Sequence, residues 1–301
     1  MRDITSAVAK KAQELANHEG AFPPQQQELP GHTGKMVPTP DHGEYTYTGA
    51  GKLEDLCALI TGADSGIGRA IAIAYAREGA DIAISYLPAE QVDAEETAQW
   101  VREAGRKAVL IPSDLKDEQN CIDTVDKAVS ELGALDILIN NAGFQMARDD
   151  SLAEFSSERM DHTFKTNLYA MFWLTQRALD HLPRGGSIIN TSSIQAFMPS
   201  PKLLDYAATK AAINNFTVNL ASAVGERGIR VNAVAPGPIW TPLQPATQVG
   251  EHLASFGKNT PLGRAGQPAE VAPAYVFLAS PGDASYVSGT VLGVTGGKAV
   301  F

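Results

Sequence analysis

Thr61-Gly62-Ala63-Asp64-Ser65-Gly66-Ile67-Gly68 is the stretch on which the reading of this chain turns. Before it, Leu56-Cys57-Ala58-Leu59-Ile60 is an unbroken apolar run of strand length. After it, Ile67 to Glu78 carries helical periodicity. The glycines permit a tight strand-to-helix turn and let the backbone approach a pyrophosphate, which then rests on the positive end of the helix. Tight turns also use glycine for purely structural reasons, and the Gly-x3-Gly-x-Gly spacing differs from the G-x-G-x-x-G fingerprint. Context favours a nucleotide: a strand precedes the loop, a helix follows, and a second strand begins about 20 residues on.

Outward from this loop the same alternation continues. Strands are expected at Ile82 to Tyr86, Lys107 to Pro112, Leu135 to Asn140, Ser187 to Thr191, Arg230 to Ala235 and near Thr290 to Val294. Helices are expected at Ala94 to Ala104, Gln119 to Leu132, a long one from Glu158 to Leu182, then Tyr206 to Glu226 and Pro268 to Ala279. Continuous apolar strands alternating with amphipathic helices imply an α/β, doubly wound parallel sheet of Rossmann type, covered on both faces. Such a sheet binds its ligand at the carboxyl ends of its strands, near the switch point. No internal repeat is present.

Composition narrows the possible partners. With 44% hydrophobic and 19% charged residues in 301, the chain can bury a large core. Its 24 Lys and Arg against 34 Asp and Glu give a net charge of -10, which disfavours nucleic acid and anionic membrane. No apolar run has membrane-spanning length, and Met1 to Gly20 lacks the apolar core of a secretory signal. A cytoplasmic protein is expected. Cys57 and Cys121, one in a strand pattern and one in a helix, read as reduced, buried thiols. His42, His162, His181 and His252 have no ligand spacing, so no metal is assigned.

Further motifs occur in a fixed order. Asn140-Asn141-Ala142-Gly143 ends the fourth strand, Asn167 falls in the long helix, Ser193 follows the fifth strand, and Tyr206-Ala207-Ala208-Thr209-Lys210 opens the next helix. With the glycine loop, this set resembles the short-chain dehydrogenase/reductase family over about Leu53 to Gly297. The resemblance implies a cofactor of NAD or NADP. It places Gly62, Asp64, Ser65, Gly66, Ile67 and Gly68 on the pyrophosphate side, Tyr86 and Leu87 near the adenosine ribose, and Asp114 with Leu115 near adenine. Asn141, Ala142 and Gly143 then line the cofactor, and Pro236, Gly237, Ile239 and Thr241 hold the nicotinamide end. Asn167, Ser193, Tyr206 and Lys210 become the catalytic set.

That chemistry is intelligible from the residues. Tyr206 and Lys210 are four apart and share a helix face. A free phenol titrates at about 10, and a neighbouring ammonium should bring it toward neutrality. Ser193 can donate to a substrate oxygen while Tyr206 gives or takes the proton. Lys210 can also hold the cofactor ribose, and Asn167 a water linking Lys210 to solvent. Alone, a Tyr/Lys helical pair is ordinary solvated surface, and a serine after a strand is an ordinary cap. Their conjunction with a nucleotide loop reverses that reading. The acid that would bind the 2′-hydroxyl of NAD in such a family is missing at Tyr86, Leu87 cannot recruit a phosphate, and Ser65 is neutral, so either cofactor fits.

Phe144, Gln145, Met146, Gln195, Phe197, Met198, Leu203 and Trp240 flank these motifs as core or as walls of an apolar pocket. Thr241 to Gln267 reads as a mobile lid. Residues 1–51 form an amino-terminal arm ahead of the 52–301 catalytic unit. The arm is too rich in Pro and Gly for regular structure, yet Phe22, Leu29, Met36, Val37, Tyr45 and Tyr47 could anchor it across a subunit boundary. Its Pro38-Thr39-Pro40-Asp41-His42-Gly43-Glu44 stretch resembles a bacterial branch of stress-associated oxidoreductases and aldehyde reductases. The expected function is reversible hydride transfer between NAD(P) and a small-molecule aldehyde or ketone and its alcohol. Epimerases on this fold use a shorter glycine spacing and a larger carboxyl-terminal domain. A noncatalytic dinucleotide-binding or sensor protein would have no use for the full catalytic set. A homotetramer is expected, because the two helices after Asn167 and Tyr206 are apolar on more than one face and the chain ends in Val300-Phe301.

Overall fold

The apolar runs become seven strands: β1 (Cys57–Thr61), β2 (Asp81–Tyr86), β3 (Ala108–Pro112), β4 (Ile137–Asn140), β5 (Ser187–Thr191), β6 (Arg230–Pro236) and β7 (Val291–Val294). The computed structural model describes residues 22–147, 152, 155–248 and 250–301. Its sheet has the order β3-β2-β1-β4-β5-β6-β7 with every pairing parallel. Every residue of β1, β4, β5 and β6 is buried, as a sheet covered on both faces requires. The strand order reverses between β1 and β4, which puts the binding crevice at their carboxyl ends.

The covering helices are α1 (Gly66–Arg77), α2 (Gln91–Glu103), α3 (Glu118–Leu132), α4 (Ser157–Phe164), α5 (Ala170–Ala178), α6 (Leu204–Val224), α7 (Leu243–Thr247) and α8 (Pro268–Ala279). One apolar layer joins Ile71 and Tyr75 of α1 to Tyr275 and Leu278 of α8 beneath Ile60 and Ile82. The opposite layer joins Val125 of α3 and Leu174 of α5 to Leu59, Leu138 and Ile188. Cys57, the first residue of β1, and Cys121, in α3, are buried free thiols.

One expected element is broken. The single helix from Glu158 to Leu182 is instead α4, a π-helical turn over Lys165–Tyr169, and α5, which stops at Ala178. The extra residue in that turn is accommodated where Asn167 turns its carboxamide onto the chain after β4 (Asn167 Nδ2 to Phe144 O, 2.8 Å) and onto Thr209. Periodicity does not register such an insertion, because the apolar stripe resumes on the far side.

The arm segment from Phe22 lies on its own subunit's body. Phe22 stacks on Trp240 with ring centroids 3.7 Å apart, and both pack with Met36 and Leu253. Trp240 donates through its indole N–H to the Pro38 carbonyl at 2.8 Å, and the Gln27 amide donates to the Pro245 carbonyl at 3.0 Å. Further along, Arg77 caps the carbonyls of Gly43 and Tyr47, and Glu78 accepts from the amides of Ala50 and Lys52. Gly49 is needed here, since a Cβ would lie 1.9 Å from the Arg77 carbonyl oxygen. Of the six expected anchors, Phe22 and Met36 are buried and Tyr47 is partly buried against this chain, while Leu29, Val37 and Tyr45 are exposed on it, Tyr45 meeting Trp100 edge-on at 5.4 Å. Residues 1–21 lie outside the described residues. Trp240 therefore belongs to the core under the arm rather than to an active-site pocket. The segment expected as a mobile lid carries α7 and a 3-10 turn, Gly250–Ser255, and the arm backs both.

Candidate active site

The glycine loop has the geometry its spacing implied. Gly62 and Gly66 have φ of +61° and +51°, a region side chains disfavour. At Gly68 a Cβ would fall 1.9 Å from the Gly62 carbonyl oxygen and 2.7 Å from Asn141 Nδ2. The loop is thus a backbone cradle that opens on the amino terminus of α1, a form that fits a pyrophosphate. Gly68→Ala is expected to weaken nicotinamide dinucleotide binding at least tenfold and to lower Tm, because backbone must move to admit the methyl. Titration calorimetry and a thermal melt check both effects.

Asn141 stitches this cradle to β4. Its side-chain amide donates to the carbonyls of Thr61 (3.0 Å) and Gly62 (3.1 Å), while Thr61 Oγ1 accepts from the amides of Asn141 and Ala142. Behind it, Asn140 donates to Asn190, and Asn190 to Thr217, so β4, β5 and α6 are tied by a buried polar ladder. Gly143 lies over Asn167 and Lys210; a Cβ there would stand 3.6 and 3.7 Å from their polar atoms. Gly237 packs against the Thr295 backbone, and Thr241, buried, packs against Gly66. Ile239 is buried in a bridge to Gly266. On the far side, Leu115 is buried while Asp114 is partly exposed and paired with Lys116.

The four expected catalytic side chains converge. Ser193 ends the β5 extension, Tyr206 and Lys210 lie on the first turns of α6, and Asn167 faces them from the π-helical turn. Lys210, buried, donates to the Thr191 carbonyl at 2.7 Å, and its Nζ lies 5.3 Å from the Tyr206 ring centroid. The Asn167 carboxamide uses both amide hydrogens and also accepts from the Phe144 amide at 2.6 Å. A cavity of about 10 Å³, room for about one water, lies beside it between Thr166, Asn167, Thr191 and Lys210. Thr166 Oγ1 is buried without a hydrogen-bond partner.

The electrostatics differ from the expectation for Tyr206. Burial pushes its phenol above the ordinary value, and a hydrogen bond with Ser193 pulls it partly back. Lys210 is itself desolvated: burial brings its pKa down from 10.5 to about 7. An ammonium so poorly solvated, and spent on Thr191, does not supply the free positive charge that the sequence argument assumed.

The sign of the resulting linkage is definite. Between pH 7 and 10.5 the unfolded chain binds more protons at Lys210 than the folded chain, so this group's penalty is full below 7 and gone above 10.5. Stability from this residue should rise with pH across that interval. Urea midpoints at pH 7 and 9 are expected to differ less in Lys210→Met than in the parent chain. Equal differences would contradict the desolvation of this buried ammonium.

Residues that sequence reasoning passed over include Thr61, Thr191 and Asp205. The first two act through main-chain and hydroxyl positions that no motif marks. Asp205, buried, accepts from Thr163 at 2.7 Å and pairs with Arg159, which locks the start of α6 to α4. Of the expected pocket walls, Phe144 stacks on His162 at 4.1 Å, Gln195 accepts from the Ser200 amide, and Met198 is exposed beside the site.

A parallel sheet with a glycine cradle at its switch point and a Ser-Tyr-Lys set beside it defines a dinucleotide-dependent oxidoreductase. Comparison with known proteins agrees. A family model described as enoyl-(acyl carrier protein) reductase matches residues 62–299. The chain is 56% identical to the uncharacterized oxidoreductase YghA of Escherichia coli (strain K12), over 93% of this chain and 95% of that one. It is 45% identical to NADPH-dependent aldehyde reductase 1, chloroplastic, of Arabidopsis thaliana, over 90% and 96%. A crystal structure of a short-chain dehydrogenase from Burkholderia cenocepacia J2315 in complex with NADP superposes with a TM-score of 0.76 at 34% identity, covering 82% of this chain and 98% of that one. The chain belongs to the short-chain dehydrogenase/reductase family and is an NAD(P)-dependent oxidoreductase.

Proposed function

We propose that this chain interconverts an aldehyde or ketone and its alcohol, with Tyr206 as the general acid and base. The observation that carries the reading is the convergence of Ser193, Tyr206 and Lys210 beside the glycine cradle at the β1/β4 switch point. The bound nicotinamide supplies or accepts the hydride. Ser193 donates to the substrate oxygen and lowers the Tyr206 phenol through their shared hydrogen bond. Tyr206 passes its proton to that oxygen in reduction and removes it in oxidation. Lys210 holds the cofactor ribose from the α6 face, and Asn167 fixes the loop after β4 over it. Asn141 and Gly68 keep the pyrophosphate cradle in shape, Leu115 and Asp114 flank adenine, and Pro236, Gly237, Ile239 and Thr241 border the nicotinamide end.

The aldehyde end of this range is supported by the name of the Arabidopsis relative, and polyol chemistry by the carrot relative named glucose and ribitol dehydrogenase, 45% identical. Among the described residues no helix is long and apolar enough to cross a membrane. A cytoplasmic homotetramer is the assembly proposed. Tyr169 in the π-helical turn, Phe172 of α5 and Val218 of α6 stand exposed, Phe172 against Phe216, and Phe301 is fully exposed. Sedimentation at micromolar concentration tests it, and a monomer would end that part of the proposal.

The activity is tested with a panel of short aldehydes, ketones and sugar alcohols run against NAD, NADH, NADP and NADPH, following nicotinamide absorbance. Turnover of at least one carbonyl/alcohol pair is expected. No turnover with tight cofactor binding would favour a sensor.

A further inference from the structure

Tyr275 of α8 is a completely buried phenol that lies outside every motif of the active site. Its hydroxyl is 2.7 Å from Thr191 Oγ1, at the end of β5. The main-chain carbonyl of the same threonine accepts from Lys210 Nζ, also at 2.7 Å. Tyr275 packs in the layer of α1 and α8, whereas Lys210 comes from α6, which packs with the opposite layer. Thr191 is thus held from both faces of the sheet, two residues before Ser193. Tyr275 is fixed in turn, because Tyr75 of α1 donates its hydroxyl to the Tyr275 carbonyl at 3.0 Å.

The direction of the protons in this column follows from its far end. Asn141 Nδ2 spends its hydrogens on the carbonyls of Thr61 and Gly62, so Oδ1 is the atom that faces Thr191. A carboxamide oxygen only accepts, so the Thr191 hydroxyl donates to it, across 3.3 Å. Thr191 has one hydroxyl proton to give, and Tyr275 is therefore the donor to Thr191. A one-way chain runs from Tyr275 through Thr191 and Asn141 to the Gly62 carbonyl of the cradle. Burial pushes the Tyr275 phenol above its ordinary value, so the hydroxyl keeps its proton throughout the working range. Phenylalanine would fill this apolar layer equally well, so what the hydroxyl adds is its grip on Thr191.

We propose, resting on the role given above to Lys210, that Tyr275 is a positioning residue that acts through Thr191. By fixing the Thr191 side chain it holds the end of β5 in place. Two groups depend on that strand end: the carbonyl on which Lys210 rests and the Asn141 carboxamide that shapes the cradle. The ammonium that meets the cofactor ribose and the cradle that meets the pyrophosphate are thereby set from one node.

Tyr275→Phe, Thr191→Val, their combination and Thr191→Ser test this on the full chain. Each is titrated calorimetrically with NAD and NADP, melted, and assayed for kcat and KM on a carbonyl that the parent reduces. Tyr275→Phe and Thr191→Val should each weaken the better-bound cofactor by about three- to tenfold, the worth of one buried hydrogen bond. Both should lower kcat while the KM of the carbonyl stays unchanged. The double variant should lose no more than the worse single variant, because both remove the same link. Thr191→Ser, which keeps the hydroxyl, should recover most of what Thr191→Val loses. Tyr275→Phe, which keeps the ring, carries the test alone if the valine variants do not fold. A Tyr275→Phe chain that melts lower yet binds cofactor and turns over like the parent would overturn the proposal, as would effects that multiply in the double variant. A parent that binds cofactor but reduces no carbonyl would end the carbonyl reading above, and the cofactor titrations would still decide the role of Tyr275.

Discussion

Tyr206→Phe is expected to lower kcat by about 10²–10⁴-fold while the dissociation constant of the cofactor changes by less than about threefold. The phenol oxygen is the group placed to move a proton, held by Ser193 and lying on the same turn as Lys210. The ring packs as phenylalanine would, so the fold and the cradle are left alone. Steady-state rates and calorimetric titration of the same preparation separate the two effects. A variant that keeps a tenth of its rate would remove Tyr206 from the proton-transfer step. One that loses cofactor binding as well would assign the residue to the binding surface instead.

Trp240→Ala should lower Tm by roughly 6–20 °C. Truncating a fully buried tryptophan costs about 3–5 kcal/mol, and a chain of this size loses about 2–4 °C per kcal/mol. Trp240 is completely buried between Phe22, Met36 and Leu253, and its indole holds the Pro38 carbonyl. Its loss should therefore release the arm as well as open a cavity. Limited proteolysis is expected to cut between Phe22 and Val37 in the variant well before it does so in the parent. Unchanged stability and protection would mean that the arm is held from Arg77 and Glu78 alone.

The parallel sheet was legible because buried strands leave continuous apolar runs that tight turns separate. β1, β5 and β6 fall within a residue or two of their expected bounds. The glycine loop and the α6 pair were legible because their chemistry depends on short local spacings. What escaped depends on atoms far apart in the chain. The π-helical turn at Asn167 exists because a carboxamide answers Phe144 and Thr209, and no periodicity encodes that. Burial of Lys210 against the Thr191 carbonyl inverted the expected electrostatics, since desolvation is invisible in a linear spacing. The arm's aromatic anchors could be counted, but which would be buried depended on where Trp240 lay.

The most direct measurement follows the hydride itself. The chain is incubated with nicotinamide cofactor carrying deuterium at C4 on either face, together with an aldehyde or ketone that turns over, and the alcohol is analysed by mass spectrometry. Direct transfer at the site beside Tyr206 and Ser193 requires one deuterium on the carbinol carbon from one face of the cofactor and none from the other. The same reaction in deuterated water with unlabelled cofactor should leave that carbon unlabelled. Alcohol lacking deuterium from both labelled faces, or with label drawn from solvent at carbon, would contradict hydride transfer at this site.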